Sequence, residues 1–154
     1  MRGLRLTLLG LFLLPLFAMR PEAARADDPI GQVKTASGEV TVLRAGATSK
    51  LAIGDHVFQS DVVATGHDGT VGITFADNSM MSLGPDSRLS LDQFSFDTTT
   101  HVGVFDSSLK AGTLAVKSGQ IVKQTPEAMH VKTPGALLGV RGTEFVVRAD
   151  GGGS

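Results

Sequence analysis

The sequence predicts an all-β fold: a single domain of many short, antiparallel-rich strands, arranged as a sandwich or as a roll of solenoid-like character. Three observations predict it. Short apolar runs recur at the roughly 8 to 12-residue spacing of all-β folds. Clusters of Gly, Asp, Asn and Ser separate them, the residues that turns select. Where periodicity is clear it is two: Val71, Ile73 and Phe75 alternate with Thr70, Gly72 and Thr74.

At 154 residues the chain has room for one domain. Its beginning reads as an export signal. Met1-Arg-Gly-Leu-Arg5 is basic, residues 6–18 are apolar, and Ala24-Arg-Ala26 is a small-x-small cleavage site. The apolar run falls short of the roughly 20 residues that span a bilayer, so no membrane span is expected after cleavage. The expected division is a signal peptide over 1–26, a lead-in over 27–32, a β domain over 33–148 and a flexible tail over 149–154. Cleavage leaves roughly 130 residues, which can bury about two-thirds of their unfolded surface.

The expected address is the periplasm, and the absence of cysteine means that packing alone must hold the domain. It also excludes zinc-thiolate, haem-attachment and dithiol redox motifs. Without the signal the net charge is near −4, which argues against nucleic acid or an anionic membrane as partner.

The elements follow in order. Residues 33–35 and 39–43 flank Ser37-Gly38 as a hairpin-like pair, with Val40 and Val42 on one face. Residues 44–49 read as a loop. Gly54-Asp55 and Ser60-Asp61 look like one turn used twice, six residues apart. Gly supplies the turn's backbone freedom, and Asp caps its N–H groups. Cation binding by Asp55 and Asp61 is the weaker reading, because the dense carboxylate spacing of a calcium loop is missing.

Gly66-His-Asp-Gly69, Asp77-Asn78 and Gly84-Pro-Asp-Ser87 are turns around the strands at 70–75 and 80–83. Leu89 and Leu91 share a face. Phe94 and Phe96 share one too, but out of phase, which predicts a bulge at Asp92-Gln93. Asp97-Thr-Thr-Thr100 is a polar loop. Strands over 102–105, 109–116, 120–123 and 129–133 follow.

The stretch from Thr133 to Phe145 is the most distinctive. Pro134 lacks an N–H and suits a strand start or an edge. Residues 136–140 read as a buried strand. Gly139 and Gly142 bracket Arg141, and Gly142 permits a backbone angle or close approach. Thr143, Phe145 and Val147 then share one face, and Glu144, Val146 and Arg148 the other. An arginine inside such an apolar hairpin needs acceptors, so Arg141 is expected to act as a staple on Glu144 or on loop carbonyls.

No chemistry of catalysis is legible. No Gly-x-Ser-x-Gly elbow occurs, and His56, His67, His101 and His130 are scattered. His130, between Met129 and Val131, is expected to face solvent. No glycine-rich loop opens a helix to cradle phosphate. The chain has no Trp or Tyr for stacking on sugars, and Phe75, Phe94, Phe96 and Phe145 fall at core phase. No enzyme, cofactor or metal site is expected.

The run Val131-Lys-Thr-Pro-Gly-Ala-Leu-Leu-Gly-Val-Arg-Gly-Thr-Glu-Phe-Val-Val147 resembles the signature of the FecR domain. So, in order, do Gly38-Glu-Val-Thr-Val42, Leu51-x-Ile-Gly-Asp55, Ser60-Asp-Val-Val-Ala-Thr65, Gly69-Thr-Val-x-Ile-Thr-Phe75, Asp77-Asn-Ser79 and Leu109-Lys-Ala-Gly-Thr-Leu114. The family signature thus covers Gly54, Asp55, Asp61, Thr133, Pro134, Gly139, Arg141, Gly142, Thr143 and Phe145. Ser60 stands where the family usually has Gly.

The resemblance implies an all-β envelope domain without catalytic activity. In the family's transducers it implies signalling between an outer-membrane receptor and a cytoplasmic sigma factor. With an export signal in front, direct sigma-factor control is not expected here. A protein-interaction or signalling module is, with an envelope receptor or membrane sensor as partner. The alternative is a structural or small-ligand-binding envelope domain. Family members often continue with a further strand pair. The last strand is therefore expected to leave an edge open, through truncation or for strand addition by another protein.

Overall fold

The protein is described by a computed structural model over residues 28–151. The expected signal peptide, Asp27 and residues 152–154 lie outside the described residues. The strands are β1 (Gly31–Ser37), β2 (Val40–Arg44), β3 (Ala47–Lys50), β4 (His56–Val57), β5 (Val62–Thr65), β6 (Thr70–Phe75), β7 (Met80–Leu83), β8 (Arg88–Phe96), β9 (Gly103–Lys117), β10 (Met129–Thr133), β11 (Ala136–Gly139) and β12 (Glu144–Ala149). One helical turn, α1 (Gln120–Gln124), precedes β10.

These strands form one curled, all-β sheet, a half-barrel folded around its core. One half runs β4-β1-β6-β7-β9-β12 and the other β3-β2-β5-β8-β9-β10-β11. Every pairing is antiparallel except β9 with β10. β9 belongs to both halves. Residues 103–111 pair with β8, and 114–117 pair with β7. The bend lies at Gly112, whose φ of +88 suits glycine and whose missing side chain admits Ser87 Oγ. The two strands expected over 102–105 and 109–116 are therefore one strand of 15 residues.

The period-two faces meet in the core. Val71, Ile73 and Phe75 are buried from β6, and Leu89 and Leu91 from β8. Phe105 is fully buried and takes Phe75 and Phe94 edge-on, at centroid distances of 4.6 and 5.0 Å. Phe96 and Phe145 pack against the core from its margin. The register of β8 against β9 shifts between Leu91 and Gln93, at the predicted bulge.

Three local expectations are corrected. First, residues 33–35 and 39–43 do not pair. β1 pairs with β4 and β6, and β2 with β3 and β5, so Ser37-Gly38 is a corner between the two halves. Gly38, at φ +65, lies against the carbonyl of Asp68, and Gly66 N–H donates to the Glu39 carbonyl at 2.9 Å.

Second, residues 44–49 are a hairpin. Ala45 and Gly46 both take positive φ, as a two-residue turn joining twisted strands requires. An alanine at such a position hid the turn from the sequence.

Third, Gln120–Gln124 is helical. Asp77 fixes it: its carbonyl accepts from Gln120 N–H at 2.8 Å, and its carboxylate accepts from Ile121 N–H at 3.4 Å. Ile121 and Val122 then close the end of the half-barrel.

Candidate interaction site

The repeated turn behaves as its residues require. Gly54 has φ +91 and Ser60 φ +72. Each following aspartate closes the turn the same way. Asp55 N–H donates to the Ala52 carbonyl at 3.1 Å, and Asp55 Oδ2 accepts from Ala52 N–H at 2.8 Å. Asp61 N–H donates to the Phe58 carbonyl at 3.2 Å, and Asp61 Oδ2 accepts from Phe58 N–H at 2.8 Å.

The two differ in surroundings. Asp61 is 1% exposed and is gripped by Arg44, with Nε to Oδ1 at 2.8 Å and Nη2 to Oδ2 at 2.7 Å. Arg44 also donates to the His56 carbonyl at 3.1 Å and lies 4.4 Å from the centre of the Phe58 ring. The hydrogen bond to Asp61 raises the guanidinium's proton affinity, and partial desolvation acts against it. The arginine that grips a buried carboxylate is thus Arg44, itself 44% exposed, and not the Arg141 expected as a staple. Nothing in the local pattern linked Arg44 to a carboxylate 17 residues away.

The second group of predicted residues lies at the other end of the strand order. Thr133 closes the β10–β11 hairpin: its hydroxyl accepts from Ala136 N–H at 3.1 Å and donates to the Ala136 carbonyl at 3.3 Å. Pro134 sits in that turn, outside any ladder. β11 pairs only with β10 among the described residues, so residues 136–139 are not a buried strand, and Leu137 is 68% exposed. Val140 turns inward, its N–H bonded to the Met129 carbonyl at 3.0 Å, and the half-buried Leu138 packs against the core's margin.

Arg141 is 82% exposed, with the equally exposed Glu127 at 3.7 Å as its charged neighbour. It is not a buried staple: the chain there crosses from β11 to β12, and the guanidinium stands in solvent. Gly142 takes φ +99 in open space, so it supplies a backbone angle and not a close approach. Gly139 has neither a positive φ nor a neighbour within 4 Å of a would-be Cβ. The carbonyls of Gly142 and Thr143 accept from the side chain and N–H of Ser118, each at 2.8 Å. Phe145, Val147 and Ala149 face inward from β12, while Glu144, Val146 and Arg148 face out.

Sequence reasoning missed a polar cluster beside this hairpin. His130 faces outward as expected but pairs with Asp106, Nδ1 to Oδ1 at 2.9 Å. With Asp92, Lys132 and Leu137 they line a cavity of about 250 Å³. Asp92 accepts from Ser90 Oγ at 2.6 Å and from Ser108 Oγ.

The family model described as "FecR protein" matches residues 61–154. The chain belongs to the FecR protein family. The FecR match begins at Asp61, the second of the two turn aspartates, and takes in the whole exposed hairpin. β1 to β4 precede the matched residues, yet they complete both halves of the same sheet. No curated protein and no solved structure shows significant similarity to the chain. Among the described residues no helix is long and apolar enough to cross a membrane, and no group of three or more His, Cys, Asp or Glu could hold a metal ion.

Proposed function

We propose that this FecR-family chain is a non-enzymatic, periplasmic protein-interaction module, and that it engages an envelope receptor or membrane sensor through the β10–β11 hairpin and the crossing that follows. The observation that carries the reading is the placement of the signature residues. Leu137 and Arg141 stand in solvent, at 68% and 82% exposure, where packing gives neither a role. An exposed aliphatic beside an exposed guanidinium is the composition of a contact surface. The amino-terminal pattern of an export signal supports the address.

The test is recovery of partners from the cell envelope with the wild-type chain, Arg141→Ala and Leu137→Asp. Loss of one specific protein from both variants, at unchanged melting temperature, supports the reading. A partner retained equally by both variants, or none recovered by any of them, overturns it.

A small-ligand role is the second reading. It draws on the cavity lined by Asp92, Asp106, His130 and Lys132, and a thermal-shift screen against small polar solutes tests it.

A further inference from the structure

β12 borders β9 on one side only, and among the described residues nothing pairs with its other edge. Among the described residues the half-barrel has three more free edges, and each is blunted. β3 is wholly exposed and ends in Lys50; β4 has two residues; β11 has four and starts two residues after Pro134. β12 has six residues, no proline or lysine, and an unbroken register with β9. Its outer face carries Val146 at 69% exposure, beside a shallow groove of about 390 Å³ that Met80, Ala115 and Phe145 help to line.

The backbone decides which groups that edge offers. Ser118 N–H donates to the Thr143 carbonyl, so the polar groups of residues 143, 145, 147 and 149 point to β9. Those of Glu144, Val146 and Arg148 therefore point away, unpaired. These three residues are self-complementary. An antiparallel copy centred on Val146 sets Val146 against Val146 and Glu144 against Arg148, twice. All the outward N–H and C=O groups of the three residues are then satisfied. Shifting the register by two residues puts a charge opposite Val146 and leaves groups unpaired. The centred register also places each Glu144 carboxylate between the Arg148 of the other copy and its own neighbour Lys117, 3.6 Å away.

We propose that β12 is a dimerisation edge: two copies of this chain pair β12 to β12 about a two-fold axis at Val146, joining their half-barrels into one continuous sheet. An isologous contact of this kind closes on itself and does not propagate. It is independent of the hairpin surface proposed above.

The test is the mass of the exported, purified protein in solution over a concentration series, with Arg148→Glu and Glu144→Arg. Each variant alone sets like charges together twice and should dissociate at concentrations at least about 10-fold higher than wild type. Mixed in equal amounts, the two variants should restore a dimer, because each then meets the opposite charge. As a second measurement, Val146→Cys in this cysteine-free chain should form a disulfide-linked dimer under mild oxidation, whereas the exposed control Val102→Cys should not. A wild-type protein that stays monomeric throughout the series, or a dimer indifferent to Arg148→Glu, overturns the proposal.

Discussion

Arg44 holds Asp61 with two parallel hydrogen bonds, at 2.8 and 2.7 Å, while its guanidinium covers the Phe58 ring. The carboxylate is buried and the arginine half-exposed, so the pair's value lies mainly in not leaving Asp61 alone. Arg44→Met should cost about 2 kcal/mol, the range for orphaning a buried charged acceptor that keeps one N–H partner. Arg44→Lys should recover less than half, since an ammonium cannot make the fork or the stack. Urea denaturation of both variants checks this. A lysine variant as stable as wild type would show that charge alone suffices.

The twin turns predict opposite effects of gaining and of losing a glycine at the positive-φ position. Ser60→Gly relieves a side chain at φ +72 and should stabilise by up to about 1 kcal/mol. Gly54→Ala meets no atom within 4 Å, so its cost of about 1 kcal/mol should come from the backbone angle alone. Denaturation midpoints of the two variants should move in opposite directions.

Ser107 sits on β9 facing the core, and its Oγ is buried without a hydrogen-bond partner. Removing an unsatisfied hydroxyl is favourable, so Ser107→Ala should stabilise by about 1 kcal/mol. Calorimetry should show a higher melting temperature, and a loss of stability would mean that the hydroxyl has a partner in solution.

Two glycines separate structural from other roles. At Gly112 a Cβ would lie 2.1 Å from Ser87 Oγ at φ +88, so Gly112→Ala should cost about 3 kcal/mol or prevent folding. At Gly139 the space is open, and Gly139→Ala should stay within about 0.5 kcal/mol of wild type. Partner recovery with the stable Gly139 variant then asks directly whether that glycine serves contact.

Asp97 reports on pH. Its carboxylate accepts from the N–H groups of Thr100 and Thr99, which hold its pKa below the ordinary value of 3.8. A lowered folded pKa favours the folded state above the unfolded value. That contribution is lost as pH falls through the folded value. The stability difference between wild type and Asp97→Asn should therefore be full near neutrality and shrink below pH 3.8. Denaturation at pH 6 and at pH 2.5 compares the two. A difference that stays constant, or grows at low pH, contradicts the capping role.

Much of the fold was legible wherever period two met a turn residue: β6, β7 and the bulge of β8 followed from Val71, Ile73, Phe75, Asp77-Asn78 and the slip between Leu91 and Phe94. Local pattern could not say which strands pair. Ser37-Gly38 looks like a hairpin turn and is a corner, because β1 finds its partners 24 or more residues later. The helical turn at Gln120 was hidden because its capping group, Asp77, is remote in sequence. At the candidate site, the apolar neighbours of Arg141 suggest burial from sequence alone. Those neighbours form an edge strand, and an edge strand exposes what a central one would bury. The turn-capping aspartates were readable because their hydrogen bonds are local; the Arg44 partner of Asp61 was not, because it comes from the adjoining strand.

β9 has a consequence for the order of events during synthesis. Strands β7 and β8 are bound on opposite halves by the two ends of β9, and β10 and β12 also pair with it. Until residue 117 has left the ribosome or a translocation channel, the preceding strands can form only hairpins and fragments, with β7 and β8 each bearing an open edge. Closure must wait for residues more than two-thirds of the way along the chain. Such long-range pairing slows folding and prolongs exposure of the nascent sheet, so a nascent chain halted before Gly112 should be protease-sensitive throughout, and one released beyond Ala149 should become resistant in a single step.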